Sequence, residues 1–460
     1  MKAIYIYKYL MISFIALLLV SCTSTEVDAK FDQNATERLS ARQKELNDVL
    51  LSSAEGWKAV YYTDSTQLGG WTHLFKFLPE GKVDMASDFT LGTDTDTKTY
   101  RSQYEIQAGS TASLVFTTGN RIHLLSDANN YPTSALKAKG YLGDFQFFYY
   151  GQKNGDIIFR TNRNGHFLRF VKATAQDWTD LPKNTPVIDG LRGNAASPLF
   201  RIMETNDGVA THQFDFDYNP NARFGTATSL DLGSQEAYDV AFAFTPTGVV
   251  SKLPVVVKGQ KLTNFLYDST TANFVATGTN GVSATIKFRN EPTRLTEDYK
   301  LLMPQSGNNV YAYIYSITKA ESANSALFLS LLASTEAAAG TGLFINRIQP
   351  WFNNADGTSY IEYRFSTVAN PTVVAARVYH YFTIKTDATA KTVTLQPGVW
   401  KSTATAASPA IAAPAFMKAL DDQFMNPSGL YFARTQVSGY TGYTLTSTTT
   451  PFRLVLYSFQ

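Results

Sequence analysis

Leu74-Phe-Lys-Phe-Leu78, Pro79-Glu-Gly81 and Lys82-Val-Asp-Met85 decide the fold class. Apolar and polar residues alternate on both sides of a Pro/Gly turn, the pattern of an antiparallel hairpin with one face buried. The same grammar extends outward. Trp57–Tyr62 reads as a strand before the hairpin, and Ser102–Gln107, Ser113–Thr118, Asp144–Gly151, Asp156–Thr161 and His166–Val171 follow it. Lys153-Asn-Gly155 and Arg163-Asn-Gly165 place Asn-Gly at reversals, a strong signal for a tight hairpin. Sequential short strands at this spacing predict a meander that curls or closes, with no βαβ crossovers.

Ahead of the strands, Asn34–Ser53 reads as an amphipathic helix. Leu39, Leu46, Val49 and Leu50 fall near one face, and Gly56 stops it. Behind them, residues 178–198 carry three prolines and little periodicity, which places a boundary there. Further on, Phe242-x-Phe-x-Pro-x-Gly-x-Val250 echoes Phe75-x-Phe-x-Pro-x-Gly-x-Val83 at a constant offset of 167 residues. That echo suggests a duplicated meander. In the last third, Ala323–Ala339 reads as a buried helix closed by Gly340, and Ala415–Phe424 as a second helix. Strands are expected at Tyr360–Ser366, Val374–Lys385, Lys391–Gln396 and Phe452–Phe459. The predicted fold is mainly β with an α+β minority. It consists of antiparallel meander or barrel-like sheets with an N-terminal helix and a few C-terminal helices.

The N-terminus predicts an address. Lys2 and Lys8 precede an apolar run, Leu10–Val20, too short to span a bilayer as a stable helix. It ends in Leu19-Val-Ser-Cys22, and Cys22 is the only cysteine. This pattern resembles a lipobox, cleaved before a cysteine that carries diacylglycerol. Residues 1–21 are therefore expected to be a signal peptide, and 22–35 a polar tether. Three units are expected after it: 36–180, a helix plus meander; 199–300, a β-rich module; and 301–460, a β-rich module with helices. No intramolecular disulfide is possible, so packing alone must hold the fold. Glu26 and Asp28 resemble an export signal to the outer face of the outer membrane. The expected location is a lipid anchor in that membrane, at the cell surface or the periplasmic face.

Without residues 1–21 the chain has 38 basic and 38 acidic residues, a formal charge of zero. Nucleic-acid partners normally demand a basic excess and are not expected. Nucleophile signatures are missing: there is no Gly-x-Ser-x-Gly, and Cys22 is committed to lipid. None of His73, His123, His166, His212 and His380 pairs at metal-ligand spacing. No catalytic residue and no cofactor is therefore nominated, and His123 is the histidine most worth testing. Asp215, Asp217 and Asn219 alternate as a weak calcium candidate. However, Pro220 stands where a calcium loop needs glycine, and the spacing equally fits a strand with its acids in water. Thr93-Asp-Thr-Asp-Thr97 invites the same reading. Trp71, after Gly69-Gly70, and Trp351, in the amide-rich Gln349–Gly357, are the candidate ligand platforms.

Gly56-Trp-Lys58 with Tyr61-Tyr62, Gly69-Gly-Trp71, Phe75-x-Phe77 with Gly81, Arg121-Ile-His-Leu-Leu-Ser-Asp127 and Gly143-Asp-Phe-Gln-Phe147 occur in one order. In that order they resemble the Bacteroidetes lipoproteins of domain-of-unknown-function family 4302, over residues ~50–175. Family members more often carry Asp-Phe-Glu-Phe where this chain has Gln146. The resemblance implies no mechanism. It implies an accessory role beside outer-membrane nutrient importers, capturing glycans or peptides. A scaffold lipoprotein of an outer-membrane transporter complex and a hydrolase with an unrecognised site are the alternative readings.

Overall fold

The computed structural model describes residues 34–89, 97–194, 196–340, 342–405, 407–437 and 440–459. The proposed lipidation site Cys22, the signal segment, most of the tether and the acidic stretch Thr93–Asp96 lie outside the described residues.

Helix α1 (Ala35–Leu51) opens the fold. Asn34 caps it by accepting from the Glu37 amide, and the Glu37 side chain returns to the Asn34 amide. This reciprocal box satisfies two donors that helix geometry leaves unpaired. Leu46, Val49 and Leu50 are buried beneath it. Gly56 then turns the chain at φ +75°, where a Cβ would lie 2.1 Å from the Phe75 carbonyl oxygen. Only glycine permits that approach.

Eight strands follow: β1 (Trp57–Tyr62), β2 (Gly70–Leu78), β3 (Lys82–Ser87), β4 (Tyr100–Ala108), β5 (Ala112–Phe116), β6 (Gln146–Lys153), β7 (Asp156–Thr161) and β8 (Phe167–Lys172). Each pairs antiparallel with the next, and β8 returns to β1 to close a barrel. A short helix, α2 (Arg121–Leu124), lies between β5 and β6. The Pro-Glu-Gly turn joins β2 to β3 with Glu80 and Gly81 both at positive φ. Asn154 and Gly155 are likewise left-handed in the two-residue β6–β7 turn, as a tight hairpin between twisted strands requires. Aromatic residues fill the interior, with Phe75 stacked on Phe170 at 4.7 Å. The outer face of β2 is also covered: Leu74 packs with Ala86, Ala173 and Leu181.

The proline-rich segment expected to lack periodicity forms α3 (Ala175–Asp180) and α4 (Asn184–Arg192). Pro182 falls in a 3-10 turn between them and Pro186 in the first turn of α4. Those are positions where the missing amide costs no hydrogen bond.

A second closed barrel comprises β9 (Phe200–Asp207), β10 (Thr211–Asn219), β11 (Phe224–Ser229), β12 (Ala237–Thr245), β13 (Gly248–Val257), β14 (Gln260–Asp268), β15 (Asn273–Thr277) and β16 (Val282–Arg289). The architecture therefore does repeat, but the sequence echo does not mark equivalent places. Its first copy is the hairpin of the second and third strands of one barrel, and its second copy that of the fourth and fifth strands of the other. The registers differ too, with Phe77 opposite Val83 and Phe244 opposite Val249.

The last sheet contains β17 (Asn309–Ile314), β18 (Leu343–Phe352), β19 (Ser359–Thr367), β20 (Asn370–Asp387), β21 (Thr392–Lys401), β22 (Ala410–Ile411), β23 (Leu430–Val437), β24 (Tyr440–Ser447) and β25 (Arg453–Ser458). Pairing of β20 with β21 links its ends, so eight strands form a ring and β22 stands outside it. Between these strands lie α5 (Tyr315–Thr318), α6 (Ala326–Ala339), capped by Ser325, and α7 (Lys418–Phe424). Asp421 of α7 reaches into the sheet, accepting from the Tyr363 hydroxyl at 2.7 Å and pairing with His380.

The first two barrels are fastened by buried polar bonds. Arg223 forms an ion pair with Asp88 at 3.0 Å and also donates to the Gly70 carbonyl, with its guanidinium over Phe244. Asp88 further accepts from the Thr72 amide and from Asn184 of α4. Gly69 donates to the Ala222 carbonyl beside this network. A barrel-to-barrel joint with every carboxylate oxygen bonded behaves as one packed body, since a buried charge without partners would be expelled.

Candidate functional site

The closing seam of the first barrel opens a groove. β1 and β8 are registered over two pairs only, Trp57 with Lys172 and Lys58 with Val171, against six for β1 and β2. Beyond Lys58 the strands part. Alternation along β1 sends Lys58, Val60 and Tyr62 outward, and along β8 it sends out Phe167 and Arg169. β13 of the second barrel faces them with Val250 and Lys252. Two adjoining hollows of about 610 and 490 Å³ result, sharing Lys58, Val60, Tyr62 and Lys252.

The Tyr62 hydroxyl donates across the groove to the Val250 carbonyl at 3.3 Å, so the floor bridges both barrels. Burial pushes the Tyr62 phenol up, which keeps it a neutral donor. The Lys252 ammonium lies 5.6 Å from the centre of the Tyr62 ring, within cation–π range. Lys58 is matched by Asp177. Burial disfavours the charged Asp177 carboxyl, yet hydrogen bonds from Lys58 and Thr174 overcome that and hold it below the usual carboxylate range. Arg169 is matched by Asp156. His166 donates through Nδ1 to the Thr63 carbonyl at 2.9 Å, since a carbonyl can only accept.

One edge of the groove is an exposed aromatic pair. Phe167 is 70% exposed and Tyr150 49%, with rings perpendicular at 5.8 Å. Arg160 lies 5.8 Å from the Phe167 ring centre and 6.0 Å from that of Tyr150. Arg160 is held there by donating to the Gly165 carbonyl. The two rings and the Arg160 guanidinium together make an exposed aromatic edge of the kind that ligand or partner surfaces use.

The sequence-nominated residues fare differently. Trp71 is 1% exposed, wedged edge-on between Phe89 and Tyr141 at 5.5 and 5.2 Å. The reading of Trp71 as a platform is corrected: it is a core ring. Trp351 is half-buried on β18, 6.0 Å from the cross-strand Tyr360 ring, and its buried Nε1 donor has no partner among the described residues. It belongs to a row of mutually tilted aromatic rings continued by Tyr381, 5.2 Å from Tyr360.

Asp215, Asp217 and Asn219 lie along β10. Asp215 accepts from Thr293, while Asn219 accepts from the Asn221 and Ala222 amides. Asp215 and Asn219 are about 13 Å apart along the strand, whereas calcium oxygens gather at about 2.3–2.6 Å. The calcium reading is therefore corrected. Phe214, Phe216 and Tyr218 fill the interior between them. Among the described residues no group of three or more His, Cys, Asp or Glu could hold a metal ion.

His123 lies on α2. Its Nδ1 accepts from the Asn120 amide, and its Nε2 lies 3.1 Å from the Phe116 carbonyl. Phe145 stacks on the ring at 4.9 Å. Both nitrogens are occupied in holding a turn. Among the described residues no helix is long and apolar enough to cross a membrane.

Phe167, Tyr150, Tyr62 and Lys252 were not nominated from sequence. One signal was available: in His166–Val171 the face that carries Arg169 also carries Phe167 and Val171, so the charged, water-facing side of the strand presents apolar residues.

Comparison with known proteins adds the following. A family model described as "Domain of unknown function (DUF4302)" matches residues 27–269, more than half the chain. No curated protein matches. Among solved structures, a DNA polymerase sliding clamp from Bacillus subtilis is 9% identical, covering 92% of this chain and 97% of its own, with a TM-score of 0.17. The isotype 1 transferrin binding protein B from serogroup B Neisseria meningitidis is 10% identical, covering 85% of this chain and 64% of its own, with a TM-score of 0.13. Likenesses this loose carry no argument.

Proposed function

We propose that this chain, which belongs to the DUF4302 family, is a non-catalytic capture protein of the cell envelope, anchored by lipid on Cys22 and serving nutrient acquisition. The ligand is a glycan or peptide, and the site is the groove at the parted β1–β8 seam. One observation carries this reading. An unpaired stretch of seam, a 70% exposed Phe167 and the facing strand of a second barrel meet in one concave surface. Exposed ring faces stack on sugar or peptide planes, and cations and hydroxyls beside them orient the polar groups. Lys58, Arg169 and His166 are already engaged by Asp177, Asp156 and the Thr63 carbonyl, which supports binding in preference to turnover.

The test is a glycan and peptide array probed with the Cys22→Ala chain. Specific binding that weakens in a Phe167→Ala version supports capture at the seam. A blank array overturns it.

A further inference from the structure

The cations lining the groove and flanking its Phe167 edge divide into two kinds. Lys58 and Arg169 each already face a carboxylate. Lys252 and Arg160 do not: among the described residues neither forms an ion pair. Lys252 rests over Tyr62, and Arg160 over Phe167 and Tyr150. The half-buried Tyr62 ring and the exposed Phe167 ring therefore each have an uncompensated cation beside them. Arg160 is held in place by the Gly165 carbonyl, and Lys252 stands exposed on β13. The hydroxyl-bearing Ser65 and Thr263 line the hollows between the two barrels.

Resting on the capture reading above, we infer that the ligand is an anionic saccharide, one whose sugar rings bear carboxylate or sulfate groups. Sugar C–H faces lie against Phe167 and Tyr62, and the anionic substituents are met by Lys252 and Arg160. A neutral glycan would leave both cations without a counter-charge. An acidic peptide would supply charge but no flat, hydroxyl-fringed ring for the aromatic faces. A guanidinium suits the paired oxygens of carboxylate or sulfate.

The experiment titrates the full-length Cys22→Ala protein, by calorimetry, with four probes: an oligogalacturonate, a sulfated heparin-type oligosaccharide, neutral maltoheptaose and polyglutamate. Binding of one or both anionic saccharides is expected. Lys252→Glu should weaken it about tenfold or more, Lys252→Arg should retain it, and added salt should weaken it further. Lys252 is exposed on β13, and an unchanged melting temperature will show that the fold survives the substitutions. Binding of maltoheptaose alone, lost in Phe167→Ala, overturns the anionic inference and keeps the capture reading. Polyglutamate binding without saccharide binding overturns the saccharide assignment. Binding of none of the four, with an array hit elsewhere, overturns the inference only, while a blank array overturns both.

Discussion

His73 offers a prediction whose size follows from the structure. It lies inside the first barrel, fully buried, stacked on Phe75 at 6.0 Å. Neither ring nitrogen has a hydrogen-bond partner among the described residues. Burial, then the charges of Arg223 and Arg121, push its pKa down to about 3. In the unfolded chain the same ring titrates near about 6.5. Between those values the unfolded state binds a proton that the folded state refuses, so stability rises with pH across that window. The contribution is fully present above about pH 6.5. It falls by about 1.4 kcal/mol per unit on acidification, roughly 5 kcal/mol by pH 3. Whole domains are stable by about 5–15 kcal/mol, so this single ring weighs heavily in acid. His73→Leu, of similar volume and without polar atoms, removes the dependence. The assay is urea unfolding of wild type and variant between pH 4 and 7.5, followed by the fluorescence of Trp57 and Trp71 in the same barrel. The stability difference should be near constant above pH 6.5 and grow in favour of the variant below it. Parallel curves across the range would refute the reasoning.

Three further outcomes are expected. Arg223→Met leaves the buried Asp88 without its cation and should cost about 3–5 kcal/mol in denaturant titration, much of it recovered on adding Asp88→Asn; an unchanged midpoint in the single variant would count against the joint. Gly69→Ala places a Cβ 2.3 Å from the Phe242 carbonyl oxygen and should cost about 1–3 kcal/mol, read as a lowered melting temperature. Cys22→Ala should leave the melting temperature unchanged and release the protein from the membrane fraction; retention in that fraction would sink the lipoprotein reading.

Much of the fold was legible because strand alternation and turn chemistry are local. Pro79-Glu-Gly81 and Asn154-Gly155 announce their hairpins, and Asn34 with Glu37 announces a helix start. Closure was legible only as one outcome beside curling, since the seam itself, Lys58 meeting Val171, joins strands far apart in sequence. The helices across residues 175–192 were hidden because prolines in first turns look the same as prolines in loops. At the site, composition drew attention to tryptophan, yet Trp71 follows a glycine pair that feeds it into the core. Phe167 looked like one more apolar strand residue. It faces out by alternation on β8, and Lys252 lines the same hollow because the second barrel sits beside the first, a contact that the Asp88–Arg223 joint helps to hold.

The central claim is tested most directly by titrating one array-identified ligand into Phe167→Ala and Trp351→Ala side by side. Loss of affinity in Phe167→Ala, with Trp351→Ala retaining the wild-type value, is the predicted result. Loss in Trp351→Ala with Phe167→Ala unaffected would move the site to the third sheet and contradict the seam groove.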